Sequence, residues 1–377
     1  PGDTVIAAPT RHGGHYSHTL KGPLRFFQPR LVKLPFDEER YNVDLRRLPE
    51  VLERERPRLM ILGWSEFLFP HPLAELRALC DQHGVKMMYD MSHVVGLIAG
   101  RAFQPDAGQY ADIMTSSTGK SLHAPDHGML LYKDPELGPG ILDAVMPLLT
   151  SNTHPHEVAA VGVALTELLH HGPAYAAQVV KNSKALGRAL TERGVKVLYP
   201  ELGFTESHTL LVESDAPELA VQLLDRAGIL CNACELPWDK PGHASGLRIG
   251  TQVLSRRGMT EAEMDTVADA VARVLVEGAP PEVVQAEVVR PLAGRFDGVA
   301  FSFDFHFPAA DDWYDAPYEA LRVEQATGIV RSLLPFARCS DEEIDYLFGV
   351  LEEVLPGSKA KRDEIVFAYA GIRPLPW

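Results

Sequence analysis

The chain has 377 residues, 46% of them hydrophobic and 23% charged, which is enough apolar material for two or three domains with buried cores. A formal charge of -15 repels phosphate backbones and anionic lipid, so nucleic acid and membrane surfaces are poor partners and a small molecule is a better one. Four scattered cysteines (Cys80, Cys231, Cys234, Cys339) exclude a disulfide framework and suit a reducing compartment such as the cytoplasm, and no apolar run is long enough to cross a bilayer.

Between 58 and 132 the pattern alternates between short apolar runs and helical periods, the signature of a parallel sheet with crossover helices. A strand is predicted over 58–64. A helix follows over 72–83, with Leu73, Leu76 and Cys80 on one face, Pro72 suited to the first turn and Gly84 as the stop. The next strand, 85–89, delivers Asp90 at its carboxyl end; 111–115 is another, followed by a Ser/Thr/Gly loop and a strand over 129–132. Ligands of open α/β sheets bind outside the carboxyl ends of strands, so Asp90 and the 116–120 loop fall where a site is expected.

After His156 the spacing becomes helical over 158–169 and 174–193, with a break at Gly172 and Pro173, and these helices lead into a second domain. Strands are predicted there at 209–213 and 247–250, with a helix over 218–227 between them. Thr260 and Glu263 form a capping box opening a helix that runs to about Val276. Pro280 and Pro281 mark a boundary. Beyond it lie an aromatic segment, 296–318, and a helical stretch, 341–355. Phe301, Phe303, Phe305 and Phe307 alternate as in a half-buried strand, so core packing is their default. Neither an internal repeat nor a Gly-rich phosphate loop is visible.

Two residues stand out chemically. Lys120 is one amine in a loop of hydroxyls, Thr115-Ser116-Ser117-Thr118-Gly119-Lys120-Ser121, after a buried strand; desolvated there, it would be nucleophilic toward an aldehyde. A solvated loop lysine is the ordinary alternative. Asp90, three residues before His93, could hold a pyridine-type nitrogen protonated and so make the ring an electron sink, or it could cap the next helix.

The segment Tyr89-Asp90-Met91-Ser92-His93-Val94-Val95-Gly96-Leu97-Ile98-Ala99-Gly100 resembles the cofactor strand of serine hydroxymethyltransferases. The openings Pro1-Gly2-Asp3-Thr4-Val5 and His12-Gly13-Gly14-His15-Tyr16-Ser17-His18, the segment Gly63-Trp64-Ser65, and Ser245-Gly246-Leu247-Arg248-Ile249-Gly250-Thr251 with Arg256-Arg257-Gly258 are similar to further motifs of that family, in order and register over about three quarters of the chain. The resemblance implies a three-layer, mostly parallel α/β sheet with helices on both faces and a smaller α+β C-terminal domain, the pyridoxal-phosphate transferase fold of the aspartate-aminotransferase-like kind. It implies a large domain over 1–170, a small one over 171–278 and an extension over 279–377 of unassigned role. The cofactor is pyridoxal 5'-phosphate, carried by Lys120 as a Schiff base, with Asp90 at its ring nitrogen and His15 stacked on its face. Ser65 and His93 hydrogen-bond around the phenolic oxygen and Asp90, and Ser117 and Asn152 complete the cofactor set. Arg248, with Ser65, holds the carboxylate of serine, glycine or threonine through a bidentate pair. Cleavage or formation of the Cα–Cβ bond of a β-hydroxy amino acid is the implied reaction, in a homodimer with shared active sites.

Several positions depart from the family pattern. The family's N-terminal arm and its Ser-Gly phosphate turn do not precede Pro1, so a fragment is expected, or a partner chain that supplies them; a non-catalytic subunit is the reading from another class. Gly119 stands where the family has His, Ser151-Asn152-Thr153 where it has a glycine pair, and Thr10 and Tyr16 where it has leucines flanking the pteridine. These changes weaken the case for tetrahydrofolate and suit a threonine aldolase or transaldolase with an aldehyde acceptor. No metal is expected. Cys231 and Cys234 have no second pair and read as buried and reduced; His154 and His156, and Asp304 and His306, each lack a third ligand. Arg46, Arg47, Arg54 and Arg56 read as a solvated helix face.

Overall fold

The structure, a computed structural model, describes residues 2–152 and 154–296. The aromatic segment around 301–307, the helix over 341–355, Cys339, and Asp304 with His306 lie outside the described residues.

The described chain begins with β1 (Thr4–Ala7), β2 (Arg30–Lys33), a hairpin of β3 (Phe36–Asp37) and β4 (Asn42–Val43), and helix α1 (Leu48–Glu55). Then come β5 (Leu59–Leu62), α2 (Leu73–His83), β6 (Lys86–Asp90), α3 (Val95–Ala99), α4 (Ala107–Tyr110), β7 (Ile113–Ser117) and β8 (Gly128–Tyr132). The predicted strands and the 72–83 helix are thus all present, with ends moved by one or two residues. They build one sheet in the order β2-β1-β5-β6-β7-β8, parallel throughout except for β8. Strand side chains alternate across the sheet: Ile6 joins the main core with Met60, Leu62, Met87 and Tyr89, while Val5, Ala7 and Ile61 pack on the opposite face.

The connection from β1 runs to β2 on one side, and that from β5 runs to β6 on the other. The carboxyl ends of β1 and β5 therefore open a crevice at the point where the winding reverses, the standard ligand position of such sheets.

After α5 (Gly138–Asp143), α6 (Pro155–Glu192) is a single helix of 38 residues. The break expected at Gly172–Pro173 does not occur. Packing overrides local propensity: a Cβ on Gly100 would come within 2.3 Å of the Gly172 carbonyl oxygen, so the backbones of the α3 end and α6 touch. The predicted 170/171 domain limit thus lies inside a continuous helix. Leu168, Ala176 and Val179 face the first core, and Leu186, Ala189 and Leu190 face a second.

That second core lies under an antiparallel sheet, β10-β11-β9, of β9 (Thr209–Glu213), β10 (Asn232–Cys234) and β11 (Gly246–Gly250), with α7 (Pro217–Arg226) between β9 and β10. A short α8 (Gln252–Arg256) leads to α9 (Glu261–Leu275), which opens as predicted: the Thr260 N–H donates to Glu263 Oε2 at 2.8 Å. The expected boundary at Pro280–Pro281 is displaced, because Val284 and Leu292 still belong to this core. Cys231 is buried and Cys234 half-buried, and neither is in a disulfide. Among the described residues no helix is long and apolar enough to cross a membrane.

Candidate active site

Two loops leave the crevice ends. The one after β1 carries His12 to His18; the one after β5 carries Gly63, Trp64 and Ser65. A β-bridge between Gly14 and Trp64 and a 2.6 Å bond from Ser65 N–H to the Gly13 carbonyl tie them together. Gly63 has φ +92°, and a Cβ there would lie 1.9 Å from the Asp90 carbonyl oxygen, so only glycine lets the β5 and β6 ends close up. Asp90 then sits at the end of β6 beside both loops.

Both oxygens of its carboxylate are engaged, with acceptor capacity to spare. Oδ2 lies 3.0 Å from His18 Nε2, while Oδ1 accepts from the Ser92 N–H at 3.0 Å and from the Ser92 hydroxyl. Burial by itself raises the pKa of Asp90, but the His18 bond and charge and the two Ser92 bonds outweigh it and bring the carboxyl down to about 2. The result is a buried anion at neutral pH. The bond expected from His93 to Asp90 is not formed; His18 takes that place. His93 instead lies parallel to His208, ring centroids 6.3 Å apart and planes within 2°.

Lys120 is half-buried and lines a cavity with His93, His123, His208 and Gln252, rather than pointing into solvent. Its loop is docked on α3: the Gly96 N–H donates to Ser121 Oγ at 3.1 Å, and a Cβ on Gly96 would lie 2.1 Å from the Ser121 carbonyl oxygen. On the other side of the loop, Thr118 N–H bonds the His127 carbonyl at 2.9 Å, and His127 N–H returns a 2.8 Å bond to Thr118 Oγ1. The Asp126 carboxylate fills the space a side chain at Gly119 would need. Ser117 closes β7, its N–H donating to Ser92 Oγ at 2.8 Å.

Arg248 enters from the middle of β11. Nη2 donates to Asn232 Oδ1 at 3.2 Å across the β10/β11 register, and Nη1 is 3.5 Å from Glu66 Oε1. His15 Nδ1 accepts from the Ser17 N–H at 3.2 Å. Burial, then the charge of Lys120, brings the pKa of His15 down to about 4. Burial, then Lys120 and Arg248, pushes His93 well below the usual imidazole value, and burial, then Arg248 and Lys120, takes His208 to about 3. Lys120 and Arg248 thus lie among imidazoles held neutral at His15, His93 and His208, near the ionised carboxylate of Asp90 and with Glu66 beside Arg248. Ser65 is buried at its edge, whereas Asn152 lies in an exposed loop and is not brought together with the rest.

These residues fit pyridoxal phosphate by the chemistry of their donors. A buried anion stands at a strand end, an amine lines a cavity, and His208 Nδ1 and Gln252 Oε1 on that cavity's wall are buried polar atoms with no hydrogen-bond partner among the described residues. Sequence reasoning missed His18, His208, Glu66 and Asn232. His18 was visible three residues after His15, but spacing alone does not say which imidazole meets Asp90.

With this geometry in hand, the relatives are informative. The family model described as serine hydroxymethyltransferase matches residues 1–271. Serine hydroxymethyltransferase of Thermococcus gammatolerans is 40% identical over 319 residues, 82% of this chain and 74% of the relative. That of Methanocella arvoryzae is 38% identical over 310 residues, 81% of this chain and 73% of the relative. Among solved structures, L-threonine transaldolase from Pseudomonas fluorescens superposes with a TM-score of 0.72 and 32% identity, covering 81% of this chain and 70% of that one. The sheet is the mixed, mostly parallel α/β arrangement of that neighbour, and on the extent of the family match and the identity to its relatives the chain belongs to the serine hydroxymethyltransferase family.

Proposed function

We propose that the chain is a pyridoxal-phosphate enzyme that makes or breaks the Cα–Cβ bond of a β-hydroxy amino acid, with serine/glycine interconversion as its reaction. The observation that supports the reading is the buried, ionised Asp90, whose charge acts on His15 together with those of Lys120 and Arg248, the latter two acting on His93 as well. Lys120 would hold the cofactor's aldehyde carbon, Asp90 its ring nitrogen, His15 its ring face, and Ser65 and His93 its phenolic side. Ser117 would serve the phosphate from the same chain and Asn152 from a neighbouring one. When bound, the cofactor supplies an electron sink that weakens bonds at the amino acid's α carbon.

The chain's own residues do the rest. Arg248 fixes the substrate carboxylate and so sets which bond at the α carbon faces the sink. His15 and His93 enter the reaction neutral, able to accept a proton at a ring nitrogen, because burial and two cations hold them so. Asp90 stays ionised because His18 and Ser92 hold it there.

A shared dimeric site is part of the proposal. Val158, Val163, Leu165 and Leu169 are exposed along the first half of α6, with Leu148 and Leu149 just before it, an apolar face that a second copy of the chain would cover. Cys80, Cys231 and Cys234, none of them in a disulfide, suit a reducing, cytoplasmic setting.

A second reading has support of its own: an aldehyde acceptor in place of tetrahydrofolate, as in a threonine aldolase or transaldolase. Thr10 does not present an apolar surface, since its hydroxyl donates to Glu235 Oε2 at 2.5 Å, and Tyr16 is largely exposed. The transaldolase likeness points the same way. Borohydride reduction of the protein with pyridoxal phosphate, followed by peptide mapping, is expected to label Lys120 and no other lysine; a label elsewhere, or none, defeats the proposal. Glycine then separates the readings: a long-wavelength absorbance that grows with added tetrahydrofolate supports serine/glycine exchange. Acetaldehyde release from threonine without a folate response supports the second.

A further inference from the structure

We propose that the chain carries a site for a divalent metal of the zinc class, outside the pocket, ligated by His154, His156 and Glu157 with His127 as the fourth ligand. In the sequence His154-Pro155-His156 lacked a third ligand. The fold supplies it. His154 Nδ1 lies 3.4 Å from Glu157 Oε2 and His156 Nε2 lies 4.0 Å from Oε1, and the three ligand atoms are all within 4.8 Å of one another. His127, from the loop before β8, places Nδ1 3.1 Å from the same Oε2.

The convergence is built into the backbone. His154 is the N-cap residue of α6 with an extended φ of -121°, and Pro155 sets the first helical position, so His154 and Glu157 fall on the same side of the helix start. His127 is pinned by its paired bonds to Thr118, which hold it opposite. The positive end of α6 works against a cation there, and Glu157 in its first turn offsets that. One carboxylate needs one imidazole to be satisfied, yet here three imidazoles surround it, leaving ring nitrogens to spare. Imidazole nitrogen with a carboxylate oxygen is a donor set of Zn²⁺, Co²⁺ and Ni²⁺, whereas Ca²⁺ and Mg²⁺ take oxygen shells. Bonds of about 2.0–2.1 Å put tetrahedral ligand atoms roughly 3.3–3.4 Å apart. The three-residue set, spread over as much as 4.8 Å, has to contract by up to about 1.5 Å, and His127, close to Glu157 but outside that mutual spacing, has to swing toward the other two; these side chains are 28 to 50% exposed and able to move. A bound ion would fasten the start of α6 to the loop that carries Lys120.

The test uses the untagged full chain, stripped by a chelator and titrated with Co²⁺ as probe, read by its visible d–d absorption. One Co²⁺ per chain is expected, displaced by Zn²⁺. Glu157→Gln and His154→Ala should each weaken binding by more than about tenfold, while Cys234→Ser, which removes the other candidate ligand set, should leave it unchanged. Crystals of the unaltered protein with Zn²⁺ give a readout independent of any variant: an anomalous peak between His154 and Glu157 is expected. The proposal is overturned if the unaltered chain takes up no stoichiometric Co²⁺, if both ligand variants bind it as well as the parent, or if the anomalous peak lies at Cys231 and Cys234.

Discussion

Arg248 already meets oxygen acceptors before any substrate arrives, among them Asn232 Oδ1 at 3.2 Å and Glu66 Oε1 at 3.5 Å, and both it and Glu66 are largely shielded from solvent. A substrate carboxylate bound by this guanidinium has to share it with Glu66. Glu66→Gln keeps the shape and removes the competing charge, so the KM for the amino acid is expected to fall by about three- to tenfold with kcat nearly unchanged; a rise in KM would mean that Glu66 aligns Arg248 rather than competing for it. Arg248→Lys loses the planar fork, and a charge-assisted bond is worth about 1.5–3 kcal/mol. Glycine binding, followed by spectroscopic titration, should weaken by at least about tenfold. What the sequence made legible was the set of chemical groups: Lys120, Asp90, His15, His93 and Arg248 were all singled out, and the fold brings them near enough that Lys120, Asp90 and Arg248 act on the charge of His15, and Lys120 and Arg248 on that of His93. What could not be read was pairing. His18 rather than His93 binds Asp90, because the loop after β1 folds back through the Gly14–Trp64 bridge, a contact 50 residues apart in sequence that no local pattern encodes.

Strand ends, more than strands, make the site possible. Gly63 sits at φ +92° with the Asp90 carbonyl oxygen 1.9 Å from where a Cβ would be. Gly63→Ala must therefore push the ends of β5 and β6 apart and adopt an unfavourable backbone region, costing more than about 1 kcal/mol. A lower denaturation midpoint together with weaker retention of pyridoxal phosphate is expected; a variant with parental stability would show that the strand ends are slack. Elements of strong period and clear punctuation were readable, as β5, α2, β6 and the capping box of α9 demonstrate. Two were not, for one physical reason. Gly172-Pro173 reads as a break, yet the helix continues because the Gly100 backbone packs directly against it, and Pro280-Pro281 reads as a boundary although Val284 and Leu292 still fill the second core. In both places long-range packing decided what local chemistry left open.

Across the whole molecule, buried neutral imidazoles couple the fold to pH. His71 lies in the main core, where its Nε2 accepts from the Gly63 N–H at 3.3 Å; His123 sits in the Lys120 loop, 2.8 Å from the Tyr175 hydroxyl of α6; and His208 lies just before β9. Burial is the leading cause in each case and takes all three from 6.5 to about 3. Between those values the unfolded chain binds protons at these positions and the folded chain does not, so stability is full above pH 6.5 and declines as pH falls toward 3. By pH 5 each histidine has removed about 2 kcal/mol. Asp90 acts in a lower window with the same overall direction: its depressed pKa adds stability above 3.8, and that contribution fades as pH drops through about 2. Urea unfolding at pH 7.5 and pH 5 should accordingly show a marked fall in midpoint, well above the range in which Asp90 loses its charge. His71→Gln keeps a side chain that can both donate and accept, and because His12, His15 and His93 are lowered as well it is expected to remove only about a sixth of the change between the two pH values. An unchanged midpoint at pH 5, or a His71→Gln protein with the parental pH dependence, would mean that these rings are reached by water in the folded state and that the cores on either side of α6 are looser than their packing indicates.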